Sequence, residues 1–358
     1  MNRDGWQNMR SKRSSPAPEA NSKTGPRRPS GLARTAALAG AAAILSGALV
    51  LGGLELVLRA TKPARPENDF VTVTWGHPVS RNALGYRERE VALPKPAGVF
   101  RVMVLGDSLT WGAGLAEQER YTNVLQERLG NNADTRRVEV LNFALSGLPT
   151  TAERDALEKL APIVAPDLVV VGFCVNDPQP GEENYAVELD RYQWLFRTIK
   201  QLHRRHFRES VQFLSGRLDL LLRNLGLVPQ WQEALARTYE PDSPEWQAFT
   251  GALRDIHALA TAGGKAPPIF IPLLQGDGDY NAPSEHLRSI MGWSRQAADA
   301  ARDAGFVVVE VEATFKKEGN RQRRVLAWDG HPDPQSNRVY AGALEPAVRA
   351  AAHASIGE

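Results

Sequence analysis

Four short segments carry side chains that could do chemistry together. Gly106-Asp107-Ser108-Leu109-Thr110 follows an apolar run, Arg101 to Leu105, and precedes a helical pattern. A serine there sits beyond the carboxyl end of a strand, where open α/β sheets bind ligands. Backbone N–H groups at the start of the next helix could receive the negative charge of a tetrahedral intermediate. Asp107 and Ser108 are also both good helix-capping residues, so the segment alone favours a structural reading. Three further segments stand at strand ends in a consistent order: Asn142-Phe143-Ala144-Leu145-Ser146-Gly147, Gly172-Phe173-Cys174-Val175-Asn176-Asp177 and Asp329-Gly330-His331-Pro332. Serine is a weak nucleophile at neutral pH and needs a base, for which histidine has the best-placed pKa.

This ordered set of blocks resembles the SGNH (GDSL-type) hydrolase superfamily over roughly residues 98 to 350. The resemblance implies that Ser108 attacks an ester carbonyl while its own N–H, the N–H of Gly147 and the side-chain amide of Asn176 form the oxyanion hole. His331 would take the serine proton and return it to the leaving group, with Asp329 fixing the imidazole tautomer. Glycine at 147 lets a backbone N–H approach the substrate without a side-chain clash. In the commonest family pattern the acid stands three residues before the histidine, a position that is Trp328 here, whereas Asp329 stands two before. A similar Asp-x-His spacing occurs in members resembling polysaccharide O-acetyltransferases. Asp333 is a rival orienter, although it follows Pro332 and reads as the start of the next helix.

The elements that must position these groups are short apolar runs: Val102 to Leu105, Val138 to Leu141, Leu168 to Val171, Ile269 to Leu273 and Val307 to Val311. Each suits a strand buried on both faces. Helical patterns separate them, notably Tyr121 to Leu129, Thr151 to Leu160 and Trp246 to Ala262. The alternation predicts an α/β fold of three layers, flavodoxin-like, with about five parallel strands. Between residues 181 and 243 no strand pattern occurs. Leu189, Tyr192, Leu195, Phe196, Ile199 and Leu202 recur at helical spacing and predict a helical insertion.

The first 34 residues hold eight Lys/Arg against two acids, leaving 35 basic and 39 acidic residues in the remainder. The tail, low in apolar residues, is expected to be disordered. The mildly acidic remainder argues against nucleic acid as a partner. From Thr35 to Leu54 no charge occurs, a length that spans a bilayer, so residues 35–58 read as one transmembrane anchor, with a signal peptide as the alternative. Arg27, Arg28 and Arg34 on its flank predict a cytoplasmic N-terminus and an extracytoplasmic catalytic domain at residues 99–355. Residues 59–98 read as a proline-containing linker that docks onto that domain. Within it, Asn82 to Arg87 looks like a segment preceding the serine block in anchored relatives.

The remaining candidates have plainer readings. Asp277-Gly278-Asp279-Tyr280-Asn281 begins like a calcium loop, but Ala282 replaces the turn glycine and Arg288 stands where the bidentate glutamate belongs, so no metal is expected. His203-Arg204-Arg205-His206 with Arg208 reads as a solvated helix face. Trp111 and Tyr280 either line a pocket or pack under the insertion. Cys174, the single cysteine, excludes an internal disulfide and has no evident activating partner. The expected activity is serine acyl-ester hydrolysis of a small-molecule or carbohydrate ester, requiring no cofactor. The alternatives are O-acyl transfer to a cell-envelope polysaccharide and a non-catalytic carbohydrate-binding protein of the same fold.

Overall fold

The computed structural model describes residues 31–61, 68–130, 137–179, 207–226, 231–274, 278–317, 323–325 and 329–355. The chain divides into two compact units, Met1–Val57 and Leu58–Glu358.

The first unit is dominated by helix α1 (Gly31–Thr61), which begins slightly before the uncharged run and continues past it. Leu38, Ile44, Leu45, Leu49 and Val50 are exposed along it. A row of bare aliphatic side chains on an alanine-rich helix has no stable home in water. The portion Arg34–Thr61 is long and apolar enough to cross a membrane, as an anchor or a signal sequence would be.

The second unit includes a two-stranded hairpin, β1 (Val73–Thr74) and β2 (His77–Pro78), inside the segment expected to be a docking linker. The main sheet follows: β3 (Val99–Gly106), β4 (Arg137–Asn142), β5 (Leu168–Phe173), β6 (Ile269–Pro272) and β7 (Val307–Val308). All neighbours are parallel, in the order β4-β3-β5-β6-β7. Every residue of β3 and of β5 is buried, which explains the unbroken apolar runs: helices cover both faces of these strands, leaving no side for polar alternation. The expected strand over Val307 to Val311 is shorter, because only two residues pair at the sheet edge and Val311 starts a helix.

The helices of this unit are α2 (Ser108–Trp111), α3 (Tyr121–Gly130), α4 (Thr150–Val164), α5 (Arg208–Asn224), α6 (Trp231–Thr238), α7 (Pro244–Thr261), α8 (Glu285–Asp303), α9 (Val311–Lys317) and α10 (Pro334–Ala354). Within the expected helical insertion α5 and α6 are helical, whereas Leu189 to Leu202 and the His203 to His206 run lie outside the described residues.

Strand order reverses at β3: the chain goes to β4 on one side and then crosses to β5 on the other. The loops after β3 and β5 therefore part around a crevice at the carboxyl edge of the sheet, the usual ligand position in such folds. Gly106 and Gly172, side by side in register, make room for the next element. A Cβ on either would lie 2.2 Å from Thr110 Oγ1. Only two glycines allow Thr110 to wedge against the ends of β3 and β5, where it bonds Tyr121 Oη at 3.0 Å. This wedge holds α2, and hence Ser108, close above the sheet.

The residues ahead of β3 are an integral part of this unit. Arg87 is buried, and its guanidinium donates to the carbonyls of Trp111, Gly112 and Leu115 at 3.3, 2.8 and 2.7 Å. The same group lies 4.7 Å over the Trp111 ring. Glu88 Oε2 accepts from the Asn142 N–H at 2.9 Å. Asn82 to Arg87 thus braces the loop that follows Ser108, a tighter role than generic docking.

Candidate active site

Ser108 is the first residue of α2. Asp107 caps that helix, its Oδ1 accepting from the Leu109 N–H at 2.9 Å, and its Oδ2 lies 3.3 Å from the Ser108 hydroxyl oxygen. The capping expectation and the nucleophile expectation are therefore divided between two neighbours: Asp107 is the cap, and Ser108 is left with its hydroxyl available. That hydroxyl also lies 2.8 Å from His331 Nε2. On the other side of the imidazole, Nδ1 bonds Asp329 Oδ1 at very short range, and Asp329 Oδ1 also accepts the His331 backbone N–H at 2.8 Å. The structure brings Ser108, His331 and Asp329 into one hydrogen-bonded line, although the chain separates the first from the others by more than two hundred residues.

The charges in that line follow from the contacts. Burial pushes the Asp329 carboxyl up, but the hydrogen bonds from His331 outweigh it and hold the acid below its ordinary value. An ionised carboxylate only accepts, so Nδ1 carries the ring proton and Nε2 faces the serine as an acceptor. Asp333 stands apart. It caps α10, accepting from the Ser336 N–H at 2.8 Å. A comparison of Asp329→Asn with Asp333→Asn separates the two acids: the first is expected to lower kcat by about 10²- to 10⁴-fold through the wrong imidazole tautomer. The second should cost stability, about 1 kcal/mol, with kcat nearly unchanged. Ester kinetics and thermal melts of both variants read this directly, and the reverse pattern would move the orienting role to Asp333.

Gly147 follows β4 with φ of 75°, a left-handed conformation that suits glycine. Among the described residues its N–H donates to no other group, and neither does that of Ser108. Asn176, after β5, lies beside Asp107, and among the described residues its Oδ1 has no partner. Asp107 thus accepts from Leu109 with Ser108 and Asn176 beside it, although its burial still raises its pKa overall.

Beneath the line lie further carboxyl groups whose burial the sequence concealed. Asp177 is buried with one oxygen accepting the Cys174 N–H at 2.8 Å and the other unpartnered. Glu153, in the first turn of α4, is fully buried with neither oxygen hydrogen-bonded. Burial, and then the negative charge of Asp107, pushes Glu153 and Asp177 well above the ordinary carboxyl range. In the folded chain these groups hold protons that they lose in the unfolded chain above pH of about 4.3. Stability therefore falls as pH rises from there towards the folded pKa, by about 1.4 kcal/mol per unit for each retained proton. Glu153→Gln should flatten that decline. Melting temperatures between pH 5 and 8 would show it, and an unchanged slope would mean that Glu153 is ionised in the fold.

Cys174 is buried and its thiol is raised well above its ordinary value, chiefly by burial, which makes it unreactive. Tyr280 is buried and stacks on Phe315 at 4.9 Å, so it packs the core. Trp111 is likewise buried. Asp277 lies outside the described residues, and Asp279 accepts the Asn281 N–H at 2.8 Å. Trp328 also lies outside the described residues.

One residue beside the line escaped the sequence reading. The Trp75 ring, in the hairpin turn, lies 5.5 Å from the His331 ring. Two β-branched residues and a Gly76 flank it, a weak hairpin signal that lacks the usual Asn-Gly or Asp-Gly pair.

The parallel sheet with helices on it is an open α/β fold with Ser108 at its carboxyl edge. The model of the GDSL-like lipase/acylhydrolase family matches residues 104–339, and the chain belongs to that family. Comparison with curated proteins returned no match. Among solved structures, the chain is similar to TesA, with 17% identity, a TM-score of 0.41, and 70% of this chain and 98% of that one covered. It is also similar to Axe2, an acetylxylan esterase from Geobacillus stearothermophilus, with 16% identity, a TM-score of 0.41, and 68% and 91% covered. A third is a lipolytic G-D-S-L family protein from Veillonella parvula DSM 2008, with 13% identity, a TM-score of 0.37, and 68% and 95% covered.

Proposed function

We propose that the protein is a membrane-anchored serine esterase that cleaves an extracytoplasmic carboxylic ester by way of an acyl-Ser108 intermediate. The observation that carries this reading is the 2.8 Å approach of Ser108 Oγ to His331 Nε2, backed on the far side of the ring by Asp329. Ser108 Oγ attacks the carbonyl carbon as its proton passes to Nε2. The N–H groups of Ser108 and Gly147 and the amide of Asn176 receive the negative charge on the carbonyl oxygen. Collapse breaks the ester C–O bond, and the proton on Nε2 goes to the departing alcohol. Water then attacks the acyl group with His331 again as base, and Ser108 is regenerated. Asp329, ionised throughout, keeps the imidazole oriented and steadies its transient positive charge.

The basic residues before α1 favour a cytoplasmic N-terminus, which sends the esterase unit to the other side of the membrane. The Asp329-x-His331 spacing keeps O-acyl transfer as a second reading, because a sugar hydroxyl can replace water in the second step. The full chain in detergent, given 4-nitrophenyl acetate with and without an oligosaccharide, tests both. Release of acetate independent of the oligosaccharide supports the esterase, and acetylated sugar supports the transferase. Retention of sugar with no acyl chemistry would favour a binding protein of the same fold.

A further inference from the structure

The hairpin β1–β2 turns through two residues, Trp75 and Gly76, whose φ angles are 41° and 87°. Positive φ at both central positions defines a type I′ turn, whose first position favours asparagine, aspartate or glycine. A bulky aromatic residue there is strained. The structure holds it firmly nonetheless. Asp69 accepts the backbone N–H groups of Val71, Thr72 and Val73 at 2.7, 2.7 and 3.0 Å, and Thr74 Oγ1 accepts the Gly114 N–H at 2.8 Å. Phe70 meets the Trp75 ring edge-on at 5.4 Å, and a Cβ on Gly114 would lie 2.6 Å from Trp75 Cε3. Local preference is thus overridden to lay an indole on the loop after Ser108 and against the His331 imidazole.

We propose that Trp75 is the specificity-determining wall for the alcohol half of the ester, selecting alcohols that carry a ring. This rests on the serine-esterase reading, because it uses the position of the leaving oxygen. That oxygen must come within hydrogen-bond reach of His331 Nε2 to receive its proton, whereas the carbonyl oxygen turns towards the amide donors. The group attached to the leaving oxygen therefore lies beside the imidazole, where the half-buried Trp75 ring stands 5.5 Å away. A flat apolar face of that size stacks on an aryl ring or on the C–H face of a pyranose better than on a short alkyl chain. Trp75 lies ahead of the family match at residues 104–339, so the wall is supplied by the segment between the membrane helix and the common domain.

The test compares wild type, Trp75→Asn and Trp75→Phe as full-length chains on phenyl acetate, an acetylated methyl glucopyranoside and ethyl acetate. Asparagine suits the turn but gives up the ring's packing on Phe70, so melting temperatures are read beside the kinetics, and Trp75→Phe, which keeps a ring, separates loss of the wall from loss of the fold. In Trp75→Asn the ratio of kcat/KM for a ring ester over ethyl acetate should fall by about five- to tenfold, mainly through KM, with partial recovery in Trp75→Phe. Loss on either ring ester supports the wall, and the arm that loses tells an aryl from a sugar alcohol. An unchanged ratio, or an equal fall in kcat on all three esters, would overturn it while leaving the esterase standing. Hydrolysis that survives Ser108→Ala would instead remove the serine reading, and the wall with it.

Discussion

Replacement of Ser108 by alanine is expected to lower kcat on an aryl acetate by roughly 10⁴- to 10⁶-fold, with KM and melting temperature little changed. The size follows from what is lost. In the proposed mechanism the hydroxyl oxygen forms the bond to the acyl carbon, and no other group in the line replaces it. Cys174 is buried with a raised thiol, and Asp107 is held as the cap of α2 by the Leu109 N–H. The fold should tolerate the change because Asp107 caps α2 and the Thr110 wedge holds the turn from below. Residual hydrolysis would come from the amide donors acting on water.

Replacement of His331 by alanine is the second large effect, expected to be of comparable size, roughly 10⁴-fold or more in kcat. Without Nε2 at 2.8 Å, the serine proton has nowhere to go at neutral pH and the departing alkoxide has no donor. The two losses should not multiply. Serine and histidine act as one unit, so the double variant should resemble the weaker single variant. Stopped-flow and steady-state assays on the two single variants and the double would decide this. A double variant far below both singles would mean that the residues act independently, contrary to the hydrogen-bonded line.

The parts of this molecule that were readable in the sequence are those set by local periodicity. Residues of β3 and β5 are buried throughout, and continuous apolar runs announce such strands without knowledge of their neighbours. Ser108, Gly147 and Asn176 were readable because each follows a strand, whereas Asp329 and His331 lie just ahead of α10, away from the strand end expected for them. Their meeting at hydrogen-bond distance was readable only through resemblance, since no local rule joins position 108 to 331. What stayed hidden depends on tertiary contact. Glu153 in the first turn of a helix looks like an ordinary favourable dipole contact, and only the fold buries it. Arg87 looks like a surface cation, yet it stitches three carbonyls beneath the Ser108 loop. The Trp75 turn lacks the usual residues because its ring answers to His331 rather than to the turn. The edge strand β7 was overestimated because only Val307 and Val308 pair with the sheet and Val311 already begins α9.

The central claim is that Ser108 becomes acylated. Brief exposure of the full-length chain to a fluorophosphonate, followed by digestion and mass spectrometry, tests it most directly. The account predicts one stoichiometric phosphonyl adduct, on the peptide bearing Ser108, with labelling at least a hundredfold slower in His331→Ala. An adduct on another residue, or no adduct from a chain that hydrolyses esters, would contradict it.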